Sequence, residues 1–361
     1  MLACLLGVQA VTHAMFTVIV SFCVLLILLK TYFKLCGPVL GGSNRQKFTW
    51  LVDGKDSGRQ QQWAVITGAS SGIGFQFSLQ LARKGYHLML ISRSESKLAE
   101  AKKRIEADLK ADGRLVEIRT LAADFTRLDI YEAISNFVNL SKNDVRVLVN
   151  NVGQCPPYPK LFTDELPADH DAMLHVNVLA ATRMLQLILP FMVERGGGGG
   201  RLVINVASIA ARHLFPLSSI YAATKAYIGQ LSECLALEYR NRGITFCTLY
   251  PSAVSTAMIH NAREDFMTVS AERYVNSALA SICSTTTGVH WTGYWTHSLV
   301  EGLANTIALA TSREFVGTLI EHLSLGYGAL VRQMQASKTD GLGNFNMWNA
   351  LIQTSEKGKI H

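Results

Sequence analysis

Trp63-Ala-Val-Ile-Thr67 runs straight into Gly68-Ala-Ser-Ser-Gly72-Ile-Gly74, and a stretch of helical character, Phe75 to Lys84, follows at once. Apolar and β-branched residues bounded by glycine read as a short buried strand. The glycine-rich turn that ends it opens a helix, so strand, turn and helix N-terminus stand in the order that cradles a dinucleotide phosphate. Small residues let the backbone approach the anion closely, and the free amides and dipole of the helix start attract it. The spacing is Gly-x-x-x-Gly-x-Gly, not Gly-x-Gly-x-x-Gly. By itself such a turn also serves as an ordinary strand-to-helix connection.

Outward from this segment, short apolar runs alternate with helical periodicity, the pattern of a parallel sheet covered on both faces. Strands are predicted at Trp63 to Thr67, His87 to Ser92, Val116 to Ala122, Val145 to Val149, Leu202 to Ala207 and Thr245 to Tyr250, with helices in the gaps. The expected fold is α/β, a doubly wound parallel sheet of Rossmann type. Five consecutive glycines, Gly196 to Gly200, read as a flexible connector on the side away from the ligand-bearing strand ends.

A second motif supplies chemistry. In Tyr221-Ala-Ala-Thr-Lys225 a phenol and an ammonium stand four residues apart, one helical turn on a single face, where the cation lowers the phenol's pKa. Ser208 precedes Tyr221 by thirteen residues. Phenol, ammonium and hydroxyl together suit the reduction of a carbonyl by a hydride donor, with Tyr221 as general acid. A tyrosine and lysine at this spacing can equally be a snorkelling surface pair, and Ser208 alone could be a turn serine. The glycine-rich cradle upstream favours the catalytic reading.

At these residues the chain resembles the short-chain dehydrogenase/reductase family. Asp124 in Ala-Ala-Asp-Phe, Asn150-Asn151-Val152-Gly153 after the predicted fourth strand, and Asn177 in His-Val-Asn-Val follow the family's order, and the resemblance covers about residues 60 to 335. Asp129-Ile-Tyr-Glu-Ala-Ile134, Leu189-Pro-Phe-Met-Val-Glu-Arg195 and Thr292-Gly-Tyr-Trp-Thr-His-Ser-Leu299 look like its membrane-bound branch of very-long-chain 3-oxoacyl-CoA reductases and 17-beta-hydroxysteroid dehydrogenases. The resemblance implies a catalytic tetrad of Asn177, Ser208, Tyr221 and Lys225. Ser208 would also hold the substrate oxygen, Lys225 the nicotinamide ribose, and Asn177 would steady Lys225 through a water that relays protons. Cofactor contacts are implied for Gly68, Ser70, Ser71, Gly72, Ile73, Gly74, Arg93, Asp124, Asn151, Tyr221, Lys225, Val254 and Thr256. Asp124 would receive the adenine amino group, with Asn151 packing beside the adenosine. The family's Pro-Gly after the sixth strand is Pro251-Ser252 here, a departure in the loop that would meet nicotinamide.

Cofactor choice is read after the second strand. An NAD-type protein usually carries an acidic residue there for the ribose hydroxyls, whereas this chain has Ser92-Arg93-Ser94. A cation with two hydroxyls suits a 2′-phosphate, so NADPH/NADP is expected. No metal-binding spacing is present. His213 lies between Ser208 and Tyr221 and is read as a pocket or surface residue.

The chain of 361 residues allows one catalytic domain with extensions. The expected organisation is a membrane anchor at 1–35, a linker at 36–60, the catalytic domain at 61–297 and a hydrophobic helical extension with a tail at 298–361. From Met1 to Leu29 no side chain is charged apart from titratable His13, and Ala14 to Leu29 is a tight apolar block, enough for one spanning helix. A cleaved signal peptide is the competing reading, weakened by the lack of a basic start and of a small-residue cleavage site. Lys30, Lys34, Arg45 and Lys47 follow the block and place the catalytic domain in the cytosol. Lys357-Gly-Lys359-Ile-His361 resembles the Lys-x-Lys-x-x retrieval signal of the endoplasmic reticulum, or is simply a charged tail.

Seven scattered cysteines read as reduced thiols. The net charge of +7 fits either attraction to anionic lipid and acidic ligands or simple solubility, and no basic cluster is dense enough for nucleic acid. Apolar stretches at Ser298 to Thr311 and Phe315 to Val331 could finish the core, cover an acyl channel or dip into the bilayer. The expected substrate is a long-chain 3-oxoacyl-CoA in fatty-acid elongation, with a steroid or retinoid as the alternative. A catalytically silent scaffold beside other elongation enzymes is the reading from another class. A homodimer through the helices around Asp169 to Glu194 and Ile220 to Asn241 is a family habit that membrane attachment could replace.

Overall fold

Every residue of β1 (Gln62–Thr67) is buried, and its side chains divide by parity. Ala64 and Ile66 enter one core, Trp63 and Val65 the other. A strand buried on both faces belongs inside a parallel sheet covered by helices. The computed structural model, which describes residues 62–139, 143–195, 200–284 and 290–337, places it there. The further strands are β2 (His87–Ser92), β3 (Ile118–Ala122), β4 (Asp144–Asn150), β5 (Arg201–Val206), β6 (Ile244–Leu249), β7 (Ala253–Ser255), β8 (Thr268–Ser270) and β9 (His290–Trp291). Seven of them form one sheet in the order β3-β2-β1-β4-β5-β6-β9, with every pairing parallel. β7 and β8 pair separately.

In chain order the helices are α1 (Gly72–Arg83), α2 (Glu95–Ala111), α3 (Tyr131–Val138), α4 (Pro167–Met173), α5 (Ala180–Glu194), α6 (Ser219–Glu238), α7 (Ala271–Ser284), α8 (Trp295–Ala310) and α9 (Arg313–Ser337). Phe77, Leu81, Leu98, Ile105, Tyr274 and Leu279 from α1, α2 and α7 cover one face of the sheet. Ile134, Met184, Ile188 and Met192 from α3 and α5 cover the other, with Leu231 and Leu235 of α6 packed against them. The strand order reverses between β1 and β4, so the connections leaving their C-terminal ends diverge and open a crevice.

The six predicted strands are present with ends shifted by at most two residues, and β7, β8 and β9 are additions. The two C-terminal apolar stretches are helices α8 and α9. The boundary drawn between 297 and 298 falls inside α8. Pro167–Glu194 is, among the described residues, the stretch long and apolar enough to cross a membrane, but half of it is buried and its α5 part covers the sheet. It is a core element. All described residues lie in one compact unit, within Lys47–His361. The anchor, the linker, four of the five glycines at 196–200 and the C-terminal lysine motif lie outside the described residues.

Candidate active site

Because the strands are parallel, the segments after β1, β2, β3, β4, β5 and β6 all emerge on one edge, and every predicted site residue after a strand lies there. Gly68 and Gly72 adopt φ of +65° and +54°, the left-handed region that disfavours side chains. A Cβ on Gly74 would lie 2.3 Å from the Gly68 carbonyl oxygen and 2.5 Å from Asn151 Nδ2, and one on Gly72 would lie 2.9 Å from Thr256 Cγ2. The loop therefore tolerates only glycine at these positions. α1 begins with neither a side-chain cap nor an acidic residue in its first turn, which leaves its amide end open to an anion. These features fit a dinucleotide phosphate.

Asn151 also has a structural role of its own. Its Nδ2 donates to the carbonyls of Thr67 (3.1 Å) and Gly68 (3.2 Å), so the side chain holds the glycine loop from beneath. Thr67 Oγ1 accepts from the amides of Asn151 and Val152, joining the ends of β1 and β4. Ser92 Oγ bonds Ser70 Oγ at 2.9 Å. Ser94 caps α2 by accepting from Lys97 N. Of the Ser92-Arg93-Ser94 triplet, Arg93 is thus the exposed cation, and both hydroxyls already have protein partners. Asp124 accepts from Thr126 N and Oγ1, and these bonds, together with the nearby Arg93 and Arg127, hold its carboxyl below the usual range.

The reactive groups meet at the ends of β5 and α6. Ala207 N and Ile209 N donate to the carbonyls of Leu249 and Pro251, continuing the β5 line one residue either side of Ser208. Ser208 is buried and hydrogen-bonds the Tyr221 hydroxyl. Lys225 is 4 % exposed and donates from Nζ to the Val206 carbonyl at 3.0 Å, and its ammonium lies 5.9 Å from the Tyr221 ring centre. Between α4 and α5 the chain widens into a π-helical turn, Leu174–Leu179, a distortion that recurs at functional sites. It buries Asn177, which accepts from Gln154 N and donates to Gln154 O and Thr224 Oγ1, while Thr224 Oγ1 donates to the Tyr221 carbonyl. Gly153 closes the group, since a Cβ there would lie 3.2 Å from Lys225 Nζ and 3.5 Å from Asn177 Oδ1. The four tetrad residues are brought together.

Electrostatics correct one expectation. Burial pushes the Tyr221 phenol above its usual range, with the Ser208 hydrogen bond working the other way. Burial also lowers Lys225 to about 8. Desolvation acts on both members of the pair, so the lysine does not bring the phenol down as the spacing predicts. Tyr221 stays a protonated phenol, with a hydroxyl hydrogen to donate.

Three features here have no local signature in the sequence. Asn150 Nδ2 donates to Asn205 Oδ1 and Asn205 Nδ2 to Ser232 Oγ, fastening β4, β5 and α6 under the reactive groups. His297, fully buried in the first turn of α8, accepts at Nδ1 from Ser252 N and meets the Ala253 carbonyl through Nε2 at 3.2 Å. It fixes the loop that leads to Val254, which is buried in β7, and to Thr256, which abuts Gly72. Arg212, close after Ser208, pairs with buried Glu301 of α8 and lies 3.8 Å over the Tyr250 ring. His213 beside it is half-buried, and burial lowers its pKa.

The model of the short chain dehydrogenase family matches residues 62–266. The chain is 36 % identical over 247 residues to the very-long-chain 3-oxoacyl-CoA reductase of Bos taurus, covering 67 % of this chain and 74 % of that protein. It is also 36 % identical over 249 residues to the 17-beta-hydroxysteroid dehydrogenase type 3 of Danio rerio, covering 68 % and 77 %. Among solved structures, a short-chain dehydrogenase from Sphingobium yanoikuyae in complex with NADPH superposes with a TM-score of 0.57 at 25 % identity, over 70 % of this chain and 96 % of that one.

Proposed function

The chain belongs to the short chain dehydrogenase family, and on that premise we propose that it is an NADPH-dependent reductase turning a long-chain 3-oxoacyl-CoA into the 3-hydroxyacyl-CoA during fatty-acid elongation. The observation that carries the reductive reading is the meeting of Ser208, Tyr221, Lys225 and Asn177 at the sheet edge that also bears the glycine cradle. The substrate reading leans on the 3-oxoacyl-CoA reductases it resembles at 36 % identity. The steroid dehydrogenases match equally well, so reduction of an oxo-steroid is the second reading.

Gly68, Ser70, Ser71, Gly72, Ile73 and Gly74 would hold the cofactor's phosphates, Arg93 its 2′-phosphate, Asp124 its adenine, and Val254 and Thr256 its nicotinamide end. When bound, the cofactor supplies the hydride. Ser208 holds the carbonyl oxygen, and Tyr221 gives that oxygen a proton as negative charge develops there. Lys225 keeps a positive charge beneath the phenol and reaches for the nicotinamide ribose. Asn177 secures the Gln154 backbone and, through Thr224, the turn of α6 that carries Tyr221.

The apolar block of residues 14–29 and the basic residues after it support an anchored enzyme facing the cytosol at the endoplasmic reticulum. The exposed Phe191, Tyr227 and Leu237 on α5 and α6 support pairing with a second copy. The deciding experiment measures NADPH consumption by membranes carrying the wild type or Tyr221→Phe, offered a long-chain 3-oxoacyl-CoA or an oxo-steroid. Loss of the phenolic proton should slow the preferred substrate by about 10²–10⁴-fold. Equal consumption by the two proteins would sink the enzyme reading.

A further inference from the structure

Two cations share one aromatic ring at the border of the site. The Tyr158 ring centre lies 4.8 Å from Lys160 Nζ and 5.5 Å from Arg332 Cζ. Neither cation forms an ion pair with a carboxylate among the described residues. The ring quadrupole attracts each of them but does not neutralise their charge, which an anion bound beside the ring would.

The position of this pair relates it to the reacting groups. Gly153 lies against Lys225 and Asn177, and the Gln154 backbone holds Asn177. Cys155 is near enough to Tyr221 and Lys225 to act on both electrostatically. Tyr158 follows Cys155 by three residues, a span of at most about 11 Å. The far end of the segment is tied as well, because Lys160 N donates to the Leu217 carbonyl at 2.9 Å, four residues before Tyr221. Arg332 arrives from α9, whose Gly328 touches Pro159 and whose Tyr327 lies by Cys155.

We propose that Lys160 and Arg332, held on Tyr158, form the subsite for the phosphates of the substrate's coenzyme A. The proposal rests on the acyl-CoA reading above and says where the part of the substrate that never reacts is held. A 3-oxoacyl-CoA reacts at a ketone close to its thioester and carries its phosphates at the other end of the pantetheine arm. Its site therefore needs cations outside the reaction centre, on a segment leading out of it. A steroid has no use for them. Arginine grips phosphate with a planar fork, and lysine adds a compact point charge.

The test uses full-length protein in detergent, saturated with NADP so that coenzyme A cannot occupy the dinucleotide cradle. Calorimetric titration with coenzyme A compares the wild type with Lys160→Gln/Arg332→Gln. Steady-state reduction compares a long-chain 3-oxoacyl-CoA with the same acyl group on pantetheine, which lacks the phosphates. The double variant should weaken coenzyme A binding and raise the KM for the CoA thioester by about tenfold or more. Its kcat should stay within about twofold, and the pantetheine thioester should be reduced as before. If both thioesters suffer alike, the cations merely pin α9 to Tyr158, and the proposal falls. It falls too if the wild type does not bind coenzyme A, or if the double variant loses retention on anionic vesicles with coenzyme A affinity unchanged. Coenzyme A binding that depends on both cations without turnover of either thioester would overturn the reductase reading and leave the subsite standing.

Discussion

Lys225 is the residue whose environment says most about the chemistry. It is buried, it donates to the Val206 carbonyl, and its pKa is lowered to about 8 from an ordinary 10.5. Below about pH 8 it is an ammonium that can bind the cofactor ribose and face the phenol; above, it becomes neutral and both roles go. Accordingly, kcat/KM for NADPH, which reports groups of the free enzyme, should fall as pH rises through about 8. In Lys225→Arg the falling limb should move out of the accessible range, because the guanidinium keeps its charge. A limb that stays near 8 in the arginine variant would assign it to another group. The Tyr221-Lys225 pair was legible because four-residue spacing on a helix is a local relation, and the three glycines because each has a steric demand of its own. The structural role of Asn151 is hidden for the converse reason. Its partners, Thr67 and Gly68, lie more than eighty residues earlier, and no local pattern shows that its amide holds the loop. The balance of desolvation over charge at Tyr221 depends likewise on packing that spacing does not encode.

Among the elements, α8 is fastened to the catalytic edge by one charged contact. Glu301 is 2 % exposed and pairs with Arg212, which follows Ser208 by four residues and lies over Tyr250. Removing one partner strands the other as a buried charge, the costly case for an ion pair. Arg212→Met should therefore lose about 3 kcal/mol of stability, and Arg212→Met/Glu301→Met should regain most of it, read from urea-unfolding midpoints of the solubilised protein. Additive losses in the double variant would mean the two side chains do not act as a pair. The main strands and helices were readable because each carries its own period over several residues. The elements that escaped are those whose reason for existing is elsewhere. β9 is two residues long and exists as a strand because β6 offers Thr248 and Leu249 as partners. The π-helical turn at 174–179 is set by Asn177 reaching Gln154 and Thr224, not by the propensities of Leu174–Leu179.

At the scale of the whole molecule, one buried imidazole joins parts of the chain that are far apart in sequence. His297 begins α8, bonds Ser252 and Ala253 beyond β6, and packs its ring 5.8 Å from those of Tyr274 in α7 and Tyr294. As neutral imidazole it accepts from the Ser252 amide at Nδ1 and donates from Nε2 to the Ala253 carbonyl, so a second proton would remove the acceptor. Burial accordingly lowers its pKa from 6.5 to about 4. The unfolded chain then binds more protons than the folded one as pH falls below 6.5, so acid favours unfolding. Stability from this group is complete above about pH 6.5 and is lost as pH falls to about 4 and below, amounting to about 3 kcal/mol over that window. Urea-unfolding midpoints measured from pH 7 to pH 4 should therefore decline more steeply for the wild type than for His297→Gln. The glutamine variant starts less stable at pH 7 but carries no group that must stay neutral. Because carboxylates elsewhere contribute equally to both proteins, the difference between the curves isolates the imidazole. Parallel curves would mean that His297 is free to take up its proton in the folded state, and that the loop between β6 and β7 is held by something else.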